Sequence, residues 1–141
     1  MIAITDHNSV EGVDSVRKAA RDGLAVVPGM EFSARGCHVL ALFPLDAPTH
    51  RLRQFLASLG LAGENIGDGS HEIGLWMDEV SKRVADAGGL AIAAHIDRHP
   101  RGILAAGLSL ADRVRIPPSA DLSALEINLH TDKDKMNQGL M

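Results

Sequence analysis

Short apolar runs that stop beside metal-binding side chains recur along this chain, and that pattern limits the fold more than any other feature. Residues 2–5 run into Asp6-His7, residues 24–27 precede Glu31, residues 39–43 follow His38, and residues 90–94 run into His95. A further run, 125–129, leads to His130. Apolar runs of this length between turn residues read as buried strands. Strands that end in carboxylates and imidazoles place an active site at one rim of a parallel sheet or barrel.

Between the first two runs, Asn8 or Ser9 offers a helix N-cap, with Glu11 placed to complete a capping box. Val10, Val13 and Val16, followed by Ala19 and Ala20, make one apolar face of a helix expected to end near Gly23. Strand, helix and strand in succession form a βαβ unit with a right-handed crossover. Thr49 is a candidate cap for a second helix carrying Leu52, Phe55, Leu56 and Leu59. Residues 60–70 are rich in turn formers. Ser70 is read as the cap of a third helix with Trp76, Val80, Val84 and Ala87 on one stripe and Gly88-Gly89 as its stop. Residues 44–89 thus read as a helical insertion between strands. Residues 101–120 read as a short helix or irregular loop, 123–129 as a last strand, and the polar tail is expected to fray.

At 141 residues the chain is most simply one domain spanning 1–141. No apolar run approaches the ~20 residues of a membrane helix, so no membrane span is expected. The N-terminus lacks a basic segment and cleavage site, and the single cysteine, Cys37, fits a reducing compartment; a cytoplasmic location is expected. Cys37 itself reads as a partly buried strand residue. A net charge of -4 and 3% aromatic residues leave no footprint for nucleic acid, which is therefore not expected as a partner.

Taken singly, the site candidates have ordinary alternatives. Asp6-His7 suits a turn in which Asp caps the next helix; a carboxylate beside a ligand histidine also orients its ring. Glu31 alone reads as a solvated loop carboxylate, His38 as a strand-entry residue, and His95 as a hydrogen-bonded histidine at the core's rim. His95 and His99 have the spacing of a helical metal pair, but Pro100 biases His99 away from helix. Asp97 and Arg98 either pair with each other or hold an anion, since a guanidinium matches phosphate with two hydrogen bonds. His50 and His71 read as surface residues. Glu126 and His130 are ambiguous, a strand-face carboxylate and a frayed histidine in their plainest readings. No Gly-rich phosphate loop, Gly-x-Ser-x-Gly elbow or His-Glu-x-x-His helix is present.

Four segments together resemble the PHP (polymerase and histidinol phosphatase) family of metal-dependent phosphoesterases. They are residues 4–12 (Ile-Thr-Asp-His-Asn-Ser-Val-Glu-Gly), 27–33 (Val-Pro-Gly-Met-Glu-Phe-Ser), 38–42 (His-Val-Leu-Ala-Leu) and 93–98 (Ala-Ala-His-Ile-Asp-Arg). The resemblance implies a distorted (β/α)7 barrel of α/β class with two or three divalent ions, zinc, manganese or iron, at the C-terminal strand ends. On that template His7, Glu31, His38 and His95 match metal-ligand positions, Glu31 bridging, with Asp6 behind them and Arg98 on a phosphoryl oxygen. The implied activity is hydrolysis of a phosphate monoester of a small molecule or nucleotide by metal-activated water. The family's opening His-x-His and closing Asp-x-His motifs have no counterpart here, and His130-Thr131-Asp132 runs in the reverse order. The expectation is a PHP domain truncated at both ends. Two alternatives are an inactive metal-binding remnant and an interaction module that forms a homo-oligomer through unpaired strands.

Overall fold

The computed structural model describes residues 1–98, 102–103 and 121–127. His99, Pro100, most of the expected 101–120 segment, and the tail with His130 and Asp132 lie outside the described residues. In chain order the elements are β1 (Ile2–Ile4), α1 (Glu11–Ala19), β2 (Val26–Ala34), β3 (Cys37–Leu42), α2 (Thr49–Ser58), a 3-10 turn (Gly63–Asn65), α3 (Met77–Asp86), β4 (Leu90–Ala93) and β5 (Leu122–Leu125). No helix among the described residues is long and apolar enough to cross a membrane.

The strands form one sheet in the order β1-β2-β3-β4-β5. Neighbours β1 and β2 are parallel, as are β4 and β5, whereas β2–β3 and β3–β4 are antiparallel. The expected parallel arrangement is therefore corrected to a mixed sheet. Only Arg35 and Gly36 join β2 to β3, and a parallel pair needs a crossover of a dozen or more residues. Among the described residues the sheet stays open, so what is seen is a five-stranded α/β sheet and not a closed barrel.

β2 does not stop with the apolar run 24–27 but runs straight through Pro28-Gly29. Pro28 lies opposite Ile4, the last residue of β1, and its carbonyl accepts the Phe43 N–H at 2.9 Å. Gly29 is needed there. A Cβ at this position would stand 2.6 Å from the Ala41 carbonyl oxygen and 3.2 Å from that of Ile4. Glu31 is consequently inside a strand, not beyond its end.

The core lies between this sheet and the helices. Val10 and Val13 of the first helical stretch, Met30 and Phe32 of β2, Val39 of β3, Leu52 and Leu56 of α2, and Val80 and Val84 of α3 are all buried. α2 and α3 both end in the same way. After α3 the Gly89 N–H donates to Val84 O and Gly88 N–H to Ala85 O; after α2, Leu61 N–H donates to Leu56 O and Gly60 N–H to Ala57 O. These paired bonds satisfy the last carbonyls in a Schellman turn. The caps at the other ends differ from expectation. Glu79 accepts the Trp76 N–H to start α3, Ser70 bonds Asp68 instead, and Thr49 donates to Asp14 of α1. α1 stops at Ala19, with Ala20 already extended, so Gly23 belongs to the turn that follows.

Candidate metal centre

Strand pairing carries His7 to Glu31. Past the end of β1 the chain keeps contact with β2 through a single parallel bridge, His7 to Glu31. Glu31 N–H donates to Asp6 O at 3.1 Å, and Asn8 N–H to Glu31 O at 2.8 Å. At Asn8 the backbone turns left-handed, with φ 48°. The Asn8 side chain is buried and donates to Asp68 O at 2.8 Å and His71 O at 3.0 Å. Ser33 Oγ donates to Gly69 O at 2.7 Å. Segment 67–71 is thereby strapped across the end of β1, with Gly69 against the imidazole of His7: a Cβ there would stand 3.0 Å from His7 Cγ.

The β2–β3 hairpin supplies the next two groups. Its register sets Ser33 opposite His38 and Glu31 opposite Leu40. In an antiparallel pair opposite residues share a face, so Glu31 and His38 are diagonal neighbours on one side of the sheet. His38 Nδ1 lies 2.8 Å from Glu31 Oε1. From the end of β4, His95 Nε2 comes within 3.2 Å of the same oxygen and 3.1 Å of His38 Nδ1. His7 Nε2 faces the other carboxylate oxygen, Oε2, at 3.7 Å.

Three atoms, Glu31 Oε1, His38 Nδ1 and His95 Nε2, thus form a nearly equilateral triangle. Protons cannot satisfy all three edges. If both rings donate to the carboxylate, two N–H groups face each other across 3.1 Å; if one ring donates to the other, a contact to the carboxylate is left without its proton. Atoms that share one ion at ~2.0–2.2 Å stand roughly 3 Å apart, so a single cation satisfies every edge. The donor set of imidazoles and one carboxylate suits zinc, manganese or iron. His7, Glu31 and His38 also converge by themselves, with one ligand atom from each lying within 4.8 Å of the others. The residues present fit a divalent metal.

Burial by itself would push the Glu31 carboxyl up. The hydrogen bond from His38, the charges of His7 and His38 and the contact with His95 outweigh it and hold the carboxyl below its ordinary range. Cys37, next to His38 but alternating to the opposite face, is buried, and desolvation pushes its thiol up to about 12.

The other two expected residues stand apart from this group. The Asp6 carboxylate packs against Gly12, with Oδ2 2.5 Å from where a Cβ would be. It does not orient His7, whose Nδ1 is buried and has no hydrogen-bond partner among the described residues. Arg98 is exposed in the turn after β4, its N–H donating to His95 O at 2.8 Å. Asn8 and Ser33, which build the wall beside His7, carry no site signal in the sequence; Glu126, ambiguous there, accepts the His95 N–H at 2.9 Å.

No protein-family model and no curated protein sequence matches this chain. Solved structures that share its fold include two crystal structures. One is the lesion-specific endonuclease PfuEndoQ from Pyrococcus furiosus, with a TM-score of 0.67 at 18% identity, covering 95% of this chain and 35% of that one. The other is a Bifidobacterium adolescentis protein ascribed metal-dependent phosphoesterase activity, with a TM-score of 0.52 at 22% identity, covering 88% of this chain and 65% of that one. The chain thus spans about a third of the first protein and just under two thirds of the second. A fold that serves an endonuclease overturns the expectation that nucleic acid is not a partner. Net charge and aromatic content describe this stretch alone, whereas a phosphoester is engaged at its phosphate, and further contacts can come from other parts of a longer protein. The chain shares the α/β fold of hydrolases that act on phosphoesters.

Proposed function

We propose that the chain carries the metal-binding part of a PHP-type phosphoester hydrolase, with His7, Glu31, His38 and His95 as ligands to divalent ions, two or three in a whole site. The observation that carries this reading is the Glu31 carboxylate, whose Oε1 faces His38 and His95 while Oε2 faces His7. One carboxylate turned toward two sets of imidazoles suits a bridge between ions. When bound, such ions lower the pKa of water and neutralise charge that develops on the phosphoryl group during in-line attack.

The chain's own residues do the rest. Glu31, held ionised below its usual range, brings the negative charge that a cation needs. Segment 67–71 walls one side of His7 from solvent. Arg98 brings a guanidinium three residues beyond His95, suited to two phosphoryl oxygens at once. Asp6 adds negative charge beside His7 rather than holding its ring. The substrate that the family resemblance implies is a monoester of a small molecule or nucleotide. A phosphodiester of nucleic acid is the second reading, favoured by the fold shared with PfuEndoQ.

The test is elemental analysis of the chain purified without added metal or chelator, followed by hydrolysis assays. The assays use p-nitrophenyl phosphate, bis(p-nitrophenyl) phosphate and oligonucleotides carrying base lesions. Bound transition metal with turnover of one of these, both lost in Glu31→Ala, is the expected result. Metal without turnover selects the inactive remnant. A chain that takes up no metal overturns the reading.

A further inference from the structure

Regular strand geometry does not bring His95 to the metal site. Continuing the β3–β4 register from Val39–Ala93 and Leu40–Ile92 sets Ala94 opposite His38, and Ala94 N–H does donate to His38 O at 3.0 Å. Side chains alternate along a strand, so the residue after Ala94 belongs on the face away from His38. His95 nevertheless reaches His38 Nδ1 at 3.1 Å.

The ladder to β5 explains how. In a parallel pair the residue opposite Ala94, Glu126, bonds to the carbonyl before Ala94 and the N–H after it. The first bond is present, Glu126 N–H to Ala93 O at 2.9 Å. The second comes from Ile96 N–H, at 2.9 Å, one residue later than a regular ladder allows. His95 is therefore an extra residue, a bulge, and its φ of 30° lies in the left-handed region that a non-glycine rarely enters. Its displaced N–H is caught at 2.9 Å by the carboxylate of Glu126, the same residue whose backbone takes the neighbouring bonds.

We infer that Glu126 is a positioning residue: its side chain clamps the bulge at His95 and so turns that imidazole onto the face of Glu31 and His38. The value of the clamp for metal binding rests on the proposed metal centre; the clamp itself does not. Glu126 needs only an acceptor oxygen at the right reach. Gln keeps one, Ala removes it, and Asp keeps the charge but draws the oxygen back by a methylene.

The experiment uses the full chain in wild-type, Glu126→Gln, Glu126→Ala and Glu126→Asp forms, with thermal melts to verify folding. Amide hydrogen exchange at His95 is read by NMR without metal, and zinc affinity is read by competition with a chelator. His95 should be protected in the wild type and in Glu126→Gln, and should exchange at least tenfold faster in Glu126→Ala and Glu126→Asp. Zinc affinity should follow the same division, with a loss of about 10- to 100-fold, the usual effect of removing a partner that orients a ligand. Unchanged exchange in Glu126→Ala and Glu126→Asp overturns the clamp. A Gln variant as weak as Ala in both readouts also overturns it, because charge and not the hydrogen bond would then be at work. Should Glu126→Ala not fold, the Asp and Gln pair decides alone. Exchange that divides as expected in a wild type that binds no zinc leaves the clamp standing and fails the metal reading instead.

Discussion

Asn8 concentrates several demands on one side chain. It is buried, its φ is 48°, its amide donates to two carbonyls sixty or more residues away, and its oxygen takes the Ser33 N–H at 3.4 Å. Asn suits this because it tolerates the left-handed region and has both donors and an acceptor. Asn8→Ala should destabilise the chain by about 2–4 kcal/mol in urea denaturation, through orphaned carbonyls and backbone strain together. Asn8→Gly should cost less, because it leaves the same groups unpaired but adds no backbone strain at φ 48°. The sequence shows Asn8 only as a cap for α1, since its partners at 68 and 71 are brought close by folding. Cys37 gives a second residue-scale prediction. The unfolded thiol loses its proton near 9.0, the folded one only near about 12. Below pH 9 both states keep the proton and the stability is intact; from there to 12 only the unfolded state releases it, so stability falls as pH rises. At pH 8 native Cys37 should resist a thiol reagent that labels it at once in denaturant.

At the scale of elements, legibility follows periodicity. The stripes Leu52–Leu56 and Val80–Val84 announce α2 and α3, and the continuous apolar run 39–43 announces β3. β2 is half hidden because Pro28 and Gly29 imitate a turn, which in turn conceals that Glu31 sits in mid-strand and that β3 runs antiparallel to it. The four ligand candidates are nonetheless legible, since each adjoins an apolar run; the bulge that brings His95 among them is not, because it depends on a partner strand thirty-one residues on. Gly29→Ala tests the hidden part of β2. Its methyl meets carbonyl oxygens on both sides, so β1 and β3 must part, and the variant should lose about 2 kcal/mol or more of stability in a urea titration. Loss of only a few tenths would show that the strands can yield.

Taken whole, the molecule hangs its four candidate ligands at the ends of, or within, consecutive strands of one sheet, so an ion held among them would tie β1, β2, β3 and β4 together. Zinc at a hundred times its dissociation constant should add about 2.7 kcal/mol to stability, by binding the folded state alone. The melting temperature should rise by several degrees, and a chelator or Glu31→Ala should remove the rise. The spacing of those ligands also sets an order of assembly. Glu31 and His38 are seven residues apart, whereas His38 and His95 are separated by fifty-seven. Closing the longer loop, which contains α2 and α3, costs about 2 kcal/mol more chain entropy. A hairpin already holding Glu31 and His38 therefore precedes the complete centre along the folding path, and a growing chain leaving the ribosome presents half of its candidate metal site long before His95 has been synthesised.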